Sequence, residues 1–237
     1  MAGPQVWLVI PTYNEAENLG PLVAAARERL PEGSTILIVD DASPDGTGDV
    51  ADSLAAADPG VRVLHRPAKL GIGPAYVAGF QAALRGGAEL VAQMDADFSH
   101  DPGDLPRLLA AASDADLVIG SRYAPGGGTE NWGPGRRAIS RWGSAYARAM
   151  LGIRIADLTG GFKVFRREVL EAIRLGDIAS QGYSFQVETT YRAIRAGFRV
   201  VEVPIVFHER RVGQSKMTGP IVLEAAWRVP LMRLRGR

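Results

Sequence analysis

Two aspartates, Asp95 and Asp97, directly follow the apolar run Leu90–Met94, which has the pattern of a buried strand. Two carboxylates this close repel each other unless a cation lies between them. Mg²⁺ and Mn²⁺ prefer oxygen ligands, and Mg²⁺ is commonly held by one or two carboxylates together with substrate phosphates. The pair therefore predicts a divalent metal site. The alternative for an isolated Asp-x-Asp is a turn or a helix cap, and the position after a strand favours the metal.

A second acidic pair, Asp40 and Asp41, follows the apolar run Ile36–Val39 in the same way. A carboxylate at a strand end can accept hydrogen bonds from ribose hydroxyls or base N–H groups, which makes Asp41 a candidate for nucleoside binding. Asp40 is equally consistent with a buried structural acid. Asp45 and Thr47 lie in the following turn, where these residue types commonly cap the next helix.

Cationic side chains concentrate in the second half of the chain. Before Gly120 the sequence has 7 Lys and Arg against 17 Asp and Glu, and from Gly120 onward it has 20 against 9, although the net charge is only +1. An acidic half suits a cation site and a basic half suits phosphates or an anionic membrane surface; biased helix surfaces are the alternative. We expect Arg122 and the loop Arg210–Lys216 to bind phosphate, whereas Arg141 and Arg211, taken singly, are typical of solvated faces.

These side chains need elements that bring them together, and the first half alternates strand-like runs with helical patterns. The predicted strands are Val6–Ile10, Ile36–Val39, Val61–His65, Leu90–Met94 and Leu117–Ile119. The predicted helices are Glu15–Leu30, Thr47–Ala57, Ala75–Arg85 and Asp104–Ala112. Continuous apolar strands indicate burial on both faces, so we expect an α/β fold with a mostly parallel nucleotide-binding sheet flanked by helices on both faces. Ligands bind such sheets at the carboxyl ends of the strands, where both acidic pairs lie.

The pattern after Gly120 is less regular. Ala124–Gly135 is rich in Gly and Pro and predicts a long mobile loop. The remaining predicted elements are helices at Arg136–Leu151, Arg167–Arg174 and Phe185–Ala196, a strand at Arg199–Val203, a basic loop at Glu209–Lys216 and a last helix from about Pro220.

Composition and motif spacing exclude several functions. The 237 residues include no Cys, which removes thiol nucleophiles, thiol redox chemistry and iron–sulfur ligation. The stretch Gly71-Ile72-Gly73-Pro74 lacks the third glycine of a dinucleotide loop and instead indicates a tight turn at a helix start. His65, His100 and His208 lack metal-ligand spacing, so we expect packing or loop roles for them, with no zinc site and no histidine nucleophile. The sequence has no stretch of basic and aromatic residues on which bases would stack, so nothing in it indicates a nucleic-acid partner.

Six short motifs occur in order along the chain. They are Ile10–Glu15, Val39–Thr47, Met94–His100, Gly120–Tyr123, Asp157–Phe162 and Arg210–Lys216. Together they resemble the dolichyl- or polyprenyl-phosphate mannose synthases of glycosyltransferase family 2. The resemblance extends from about residue 6 to residue 218, and six motifs in register make it specific.

The resemblance implies a GT-A fold and the transfer of mannose from GDP-mannose to a polyprenyl monophosphate, with inversion at the anomeric carbon. It assigns the nucleotide sugar to Pro11, Tyr13, Glu15, Val39, Asp41, Asp95, Ala96, Asp97, Arg210 and Lys216, and Mg²⁺ or Mn²⁺ to Asp95 and Asp97. It assigns the acceptor phosphate to Arg122, Arg136 and Ser140. The residues expected to carry catalysis are Asp97, Arg122, Arg210 and Lys216. A further metal ligand often stands two residues beyond the second acid, and this chain has the hydroxyl of Ser99 there.

Several features bear on where the protein works. The N-terminal run lacks the basic region and cleavage site of a signal peptide, and no apolar run reaches the roughly 18 residues of a membrane span. We expect a cytoplasmic protein that is peripheral at the cytoplasmic face of the membrane, with a catalytic domain over residues 1–219. Residues 220–237 mix apolar and Arg side chains as a membrane-surface helix does, and a helix packed on the core is the equal alternative. A membrane-anchoring partner or a fused membrane domain would serve the same purpose.

Three other functions fit part of this evidence. A related transferase could use UDP-glucose or another sugar nucleotide with the same lipid acceptor. A phosphatase could use Asp95 as its nucleophile, although the nucleotide-side motifs argue against it. A sensor could bind the sugar nucleotide without turnover.

Overall fold

A computed structural model describes residues 3–178, 180, 182–209 and 228–234. Seven strands form one sheet with the order β3-β2-β1-β4-β7-β5-β8. Their bounds are β1 (Val6–Thr12), β2 (Thr35–Asp40), β3 (Val61–His65), β4 (Leu90–Gln93), β5 (Leu117–Ser121), β7 (Lys163–Arg166) and β8 (Val200–Pro204). A separate two-stranded parallel ladder joins β6 (Gly128–Thr129) to β9 (Val206–Phe207). Within the seven-stranded sheet, only the pairings of β7 with β4 and β5 are antiparallel.

Helices cover both faces of this sheet. They are α1 (Ala16–Arg27), α2 (Thr47–Ala57), α3 (Ile72–Arg85), α4 (Leu105–Ala111), α5 (Pro134–Leu151), α6 (Arg167–Ala172) and α7 (Gly182–Arg195). Residues 228–234 are also helical and are called α8 below. Across the described ranges, no helix combines the length and the apolarity needed to cross a bilayer.

Each strand of the seven-stranded sheet contributes side chains to two apolar cores, one on either face of the sheet. In β1, Trp7 and Val9 belong to the core that also contains Tyr76 of α3, whereas Leu8 joins the core that contains Leu22 of α1. Consecutive strand residues point to opposite faces, so burial on both sides requires the continuous apolar runs seen in the sequence. The predicted α/β fold with a mostly parallel sheet is therefore confirmed.

One central strand, β7, is not predicted by the sequence pattern. It is only four residues long, and its first residue, Lys163, is a charged side chain that is fully buried. Because β7 runs antiparallel to β4 and β5, its beginning lies at their carboxyl ends. Gly161, two residues before β7, therefore joins the edge of the sheet at which ligands were expected.

Two boundaries differ from the prediction for local reasons. The helix α3 begins at Ile72, three residues before the predicted Ala75, directly after Gly71 with φ of 97°. A positive φ of this size favours glycine, so the predicted tight turn at a helix start is confirmed. The predicted mobile loop is shorter than expected, because β6 pairs with β9 and α5 already begins at Pro134, a favoured first helical residue.

Candidate active site

A cavity of about 400 Å³ lies at the carboxyl ends of the central strands. The expected site residues that line it are Pro11, Tyr13, Glu15, Asp41, Asp95, Ala96, Asp97, Arg122 and Arg136. Val39 and Ser140 are not among its lining residues. Arg210 and Lys216 lie outside the residues that the structure describes. Most of the sequence-based candidates that can be located thus surround one space.

A larger hollow of about 900 Å³ lies elsewhere, between α7 and α8. None of the candidate residues lines it, although Arg192 and Arg228 do. The smaller cavity is the one that has the candidate carboxylates and the strand ends.

Each of the two metal candidates accepts a hydrogen bond from a neutral donor. The Tyr76 hydroxyl donates to an Asp95 carboxylate oxygen at 2.9 Å, and burial, followed by the Asp95 charge, raises the Tyr76 pKa well above its ordinary value. The Ser99 backbone N–H donates to Asp97 Oδ1 at 3.0 Å. Both carboxylates line the cavity, and Asp97 is otherwise almost fully buried. The Ser99 Oγ is buried and has no hydrogen-bond partner in the described part of the chain.

His100 contacts the side of the cavity that Asp95 and Asp97 form, which is called the acidic wall below. Its Nδ1 accepts a hydrogen bond from the Asp95 backbone N–H at 3.2 Å, and its ring packs on Phe162 and Phe207. Burial lowers its pKa, which favours the neutral ring that can accept at Nδ1. The expectation of a packing role agrees with these contacts, and the same residue also lines the cavity.

The nucleoside candidate Asp41 is engaged within the protein. Its carboxylate pairs with Arg66 and accepts from the backbone N–H groups of Leu70 and Gly71, both at 3.1 Å. These bonds fix the segment that follows β3, whose Lys69 ammonium lies 3.7 Å from the centre of the Tyr13 ring. Sequence reasoning missed Arg66 and Lys69. Their position directly after a strand is the signal that could have found them.

The neighbouring acid, Asp40, is buried, as one of its two interpretations required. It accepts from the Ser43 hydroxyl at 2.6 Å and lies 3.8 Å from His65 Nδ1. In the following turn Asp45 Oδ1 accepts from the backbone N–H of Thr47 at 3.0 Å, at the first residue of α2. The second acidic pair therefore serves local structure at several points.

Arg122 reaches the cavity with a buried carboxylate behind it. Its Nε and Nη2 each donate to Asp157 at 2.6 Å, and Nη2 also donates to Thr159 at 2.7 Å. Burial alone would raise the Asp157 pKa, but the charge and hydrogen bonds of Arg122 hold it below its ordinary value. This bidentate pair orients Arg122 in the side of the cavity that Arg122, Arg136 and Trp132 form, which is called the basic wall below.

Arg136 is arranged differently. Its guanidinium lies 4.1 Å from the centre of the Trp132 ring, and Nη1 forms a 3.2 Å contact with the half-exposed Glu209. Trp132 lines the same cavity, and its buried indole N–H has no hydrogen-bond partner among the described residues. The hydroxyl of Ser140 instead accepts from the Tyr123 hydroxyl at 2.7 Å. Trp132 and Phe207 are cavity residues that the sequence reasoning did not identify.

A buried polar network lies beneath the cavity floor. Gln93 Nε2 donates to the Gly161 carbonyl at 2.7 Å and to the side chain of Gln186 at 2.8 Å. Lys163 Nζ donates to the backbone carbonyl of Gln186 at 2.8 Å and to the hydroxyl of Thr190 at 3.0 Å. Burial lowers the pKa of Lys163 to about 7. This network joins β4 and β7 to α7, and both Gly161 and Gln186 line the cavity.

Most of the chain matches a protein-family model. Residues 7–174 match the model described as Glycosyl transferase family 2. This segment contains every strand of the main sheet except β8.

Two curated proteins match nearly the whole chain. Undecaprenyl-phosphate mannosyltransferase of Micrococcus luteus is 52% identical over 233 residues, which cover 98% of this chain and 96% of that protein. Polyprenol monophosphomannose synthase of Mycolicibacterium smegmatis is 51% identical over 232 residues, which cover 97% of this chain and 87% of that protein.

Solved structures share the fold at much lower identity. Glucosyl-3-phosphoglycerate synthase from Mycobacterium tuberculosis, in complex with Mn²⁺, UDP-glucose and phosphoglyceric acid, has a TM-score of 0.72 at 18% identity. The match covers 98% of this chain and 80% of that one. The same enzyme with Mg²⁺ and UDP has a TM-score of 0.71 at 18% identity, over 98% of this chain and 79% of that one.

Proposed function

The chain belongs to glycosyl transferase family 2 and has a GT-A fold, and from this premise we propose that it transfers mannose from GDP-mannose to a polyprenyl monophosphate. The products are polyprenyl phosphate mannose and GDP. The proposal rests on one observation. The Asp95–Asp97 pair and a group of Arg and aromatic side chains line the same cavity. The two mannosyltransferases that are 51–52% identical support the choice of sugar and acceptor.

The acidic wall suits the donor. Asp95 and Asp97 offer carboxylate oxygens, and the Ser99 hydroxyl, which has no hydrogen-bond partner among the described residues, lies in the same segment. The donor set therefore fits a hard cation such as Mg²⁺ or Mn²⁺. The cation would bind the diphosphate and offset the charge that grows on the leaving GDP. Tyr13, Glu15 and Asp41 then face the nucleoside, with Asp41 acting largely through the segment that contains Lys69.

The basic wall suits the acceptor. We assign the lipid phosphate to Arg136, whose stacked guanidinium reaches the cavity, and to Arg122, which the buried Asp157 holds in a fixed orientation. The Trp132 indole N–H is a further donor in this wall. Ser140 contributes through Tyr123 in this assignment, because its hydroxyl bonds that side chain.

The reaction needs no general base and no covalent enzyme intermediate. The phosphate monoester is already anionic near neutral pH, because its second pKa is about 6. One phosphate oxygen forms a bond to the anomeric carbon while the bond from that carbon to the GDP oxygen breaks, which inverts the configuration. The side chains contribute orientation and charge stabilisation. We assign Arg210 and Lys216, which lie outside the residues that the structure describes, to the donor phosphates.

The proposed acceptor also indicates where the protein acts. A polyprenyl phosphate lies in a bilayer, so we infer that the protein meets its substrate peripherally at the membrane surface. The basic segment 220–237 remains a candidate for this contact, as does a membrane-anchoring partner.

The test is direct. The purified chain is incubated with Mg²⁺, a polyprenyl phosphate and either GDP-mannose or UDP-glucose, and the lipid products are identified by mass spectrometry. We expect mannolipid from GDP-mannose. Glucolipid as the main product would establish the UDP-glucose alternative. Release of phosphate with a trapped phosphoryl-aspartate would establish the phosphatase, and nucleotide binding without any product would establish the sensor.

A further inference from the structure

Gln186 supplies the one side-chain amide among the described residues that line the cavity. It lies on α7, and only 4% of its surface is exposed. Its Oε1 accepts from Gln93 at 2.8 Å, whereas its Nε2 makes no hydrogen bond within the part of the chain that the structure describes. Buried polar groups normally have a partner. Because Gln186 lines the cavity, its N–H groups are donors for a ligand bound there.

Gln93 determines which end of the Gln186 amide is left as a donor. The Gly161 carbonyl can only accept, so the Gln93 atom that lies 2.7 Å from it is the nitrogen Nε2. The same nitrogen lies 2.8 Å from the Gln186 side chain, so the Gln186 atom that it contacts is also an acceptor, Oε1. Through Gln93, the Gly161 carbonyl therefore sets the orientation of the Gln186 amide.

The backbone of Gln186 is held as firmly as its side chain. Lys163 Nζ donates to the Gln186 carbonyl at 2.8 Å, and the hydroxyls of Thr189 and Thr190 donate to it at 3.1 and 3.0 Å. Gln93 and Lys163 are both fully buried. A donor that is fixed before the ligand arrives loses little conformational freedom on binding, which favours affinity and selectivity.

The start of α7 lies beside the acidic wall. The ring of Phe185 stacks on the ring of Tyr76 at 5.8 Å between centres, and the Tyr76 hydroxyl donates to Asp95. A Cβ atom at Gly161 would lie 3.4 Å from Asp95 Oδ2. Gly161 therefore connects Asp95 with the amide pair Gln93 and Gln186. A sugar is bonded directly to the diphosphate, so a diphosphate bound at Asp95 would leave its sugar within reach of α7.

The sheet order separates the amide pair from the nucleoside candidates. Tyr13 and Asp41 follow β1 and β2, whereas Gln93 ends β4 and Gly161 precedes β7, and these strands lie in the order β2-β1-β4-β7. The amide is also neutral. Arg, Lys and cations are the usual partners of phosphate, whereas a neutral amide N–H is well matched to a hydroxyl oxygen. Position and chemistry together favour a hydroxyl of the transferred sugar over the ribose and the phosphates.

We propose that Gln186 is a specificity residue for the donor sugar, in which Nε2 donates a hydrogen bond to one hydroxyl of the hexose. Gln93 is the positioning residue that orients the amide. The inference rests on the proposed sugar-nucleotide substrate and adds the part of the site that recognises the sugar. The alternative is a purely structural amide pair that joins α7 to β4.

The first experiment isolates the sugar from the nucleotide. Calorimetry in the presence of Mg²⁺ gives the affinities for GDP-mannose and for GDP, and their ratio measures what the sugar contributes. We expect Gln186→Met to lower this ratio about fivefold, as the loss of one neutral hydrogen bond predicts, while the affinity for GDP stays close to that of the parent chain. Gln81→Met on the exposed face of α3 is the matched control and should leave both affinities unchanged.

The second experiment identifies the hydroxyl and does not depend on the folding of one variant. The parent chain is tested with GDP-mannose analogues that each lack one hydroxyl of the mannose, and one analogue should bind about fivefold more weakly than GDP-mannose. In Gln186→Met that loss should disappear. Gln93→Met should lower the sugar contribution while GDP binding persists. The double variant Gln93→Met/Gln186→Met should match Gln186→Met, because Gln93 acts through Gln186.

Two results would overturn the inference. One is a ratio of GDP-mannose to GDP affinity that is the same in Gln186→Met and in the parent chain. The other is an equal weakening of GDP and GDP-mannose, which would assign the amide pair a structural role. A parent chain that binds UDP-glucose in place of GDP-mannose would refute the proposed donor. The ratio of UDP-glucose to UDP affinity in the same variants would then decide the role of Gln186.

Discussion

The acidic and basic walls of the cavity hold their charges in different ways. Asp95 accepts a hydrogen bond from the neutral Tyr76 hydroxyl, Asp97 accepts one from the neutral Ser99 N–H, and both carboxylates line the cavity. Arg122, by contrast, is bound in bidentate fashion by the buried Asp157. The acidic first half of the sequence supplies one wall and the basic second half supplies the other. The local partners of each side chain determine how much of its charge is left to interact with a ligand.

The same contrast recurs within each wall. Asp41 is paired with Arg66, whereas Asp95 accepts from a hydroxyl. Arg122 is paired with the buried Asp157, whereas Arg136 lies on an aromatic ring and has a half-exposed partner, Glu209. A paired charge is oriented and partly neutralised, so its removal should first cost stability. A charge whose partner is a neutral group or a half-exposed side chain should matter first to the ligand.

Arg122→Ala is expected to have the largest effect, and the effect should appear in stability. Removing one member of a buried ion pair leaves the other charge uncompensated, which costs about 3–5 kcal/mol of unfolding free energy. Urea denaturation followed by circular dichroism measures this loss. The double variant Arg122→Ala/Asp157→Asn should be less destabilised than the sum of the single variants. A loss below about 1 kcal/mol would show that the ion pair with Asp157 contributes little to stability and would remove the contrast between the walls.

Asp97→Asn is expected to reduce transfer by about 100-fold or more, because it removes one of the two carboxylates that would hold the cation. Its effect on unfolding should be small beside that of Arg122→Ala. Initial rates over a series of Mg²⁺ concentrations measure the change, with the surface variant Asp114→Asn as the matched control. Activity above a tenth of the parent value at saturating Mg²⁺ would contradict the metal assignment.

Arg136→Ala is expected to act on the acceptor alone. Losing one charge-assisted contact is worth about 1.5–3 kcal/mol, so the KM for polyprenyl phosphate should rise by about tenfold or more. Binding of GDP-mannose with Mg²⁺, measured by calorimetry, should stay close to that of the parent chain. Arg85→Ala is the control for loss of one exposed arginine. Equal weakening of donor and acceptor would show that the basic wall attracts phosphates without division of labour.

Much of this arrangement could be predicted from the sequence, because apolar periodicity and strand-end acids are local signals. The mostly parallel sheet and the cavity position of Asp95 and Asp97 follow from them, whereas the place of Arg136 follows from the family resemblance. The partners of Asp41 and Arg122 could not be found this way, since Arg66 and Asp157 are 25 and 35 residues distant in sequence. Pairing across such distances depends on the packed fold.

The strand β7 shows the same limit most clearly. Its Lys163 contradicts the apolar pattern of a central strand, and only the acceptors supplied by α7 make its burial tolerable. The short ladder of β6 and β9 is likewise formed between segments that are far apart in sequence and too short for a periodic signal.

Lys163 provides an effect that appears only in the pH dependence of stability. It extends the comparison to a buried cation whose contacts on α7 are carbonyl and hydroxyl oxygens. Its pKa in the folded chain is about 7, below the ordinary 10.5, so between these values the unfolded chain binds more protons than the folded one. Stability should therefore rise with pH above about 7, by up to about 1.4 kcal/mol per pH unit. In Lys163→Met this contribution is absent, and the difference in unfolding free energy between parent and variant, measured from pH 7 to 9, should change by that slope. Because the Thr189 and Thr190 hydroxyls donate to the Gln186 carbonyl, that acceptor stays satisfied in the variant, which should fold at pH 7 with little loss. A difference that stays constant with pH would show that Lys163 keeps its proton throughout, as a cation fully stabilised by neutral oxygens would.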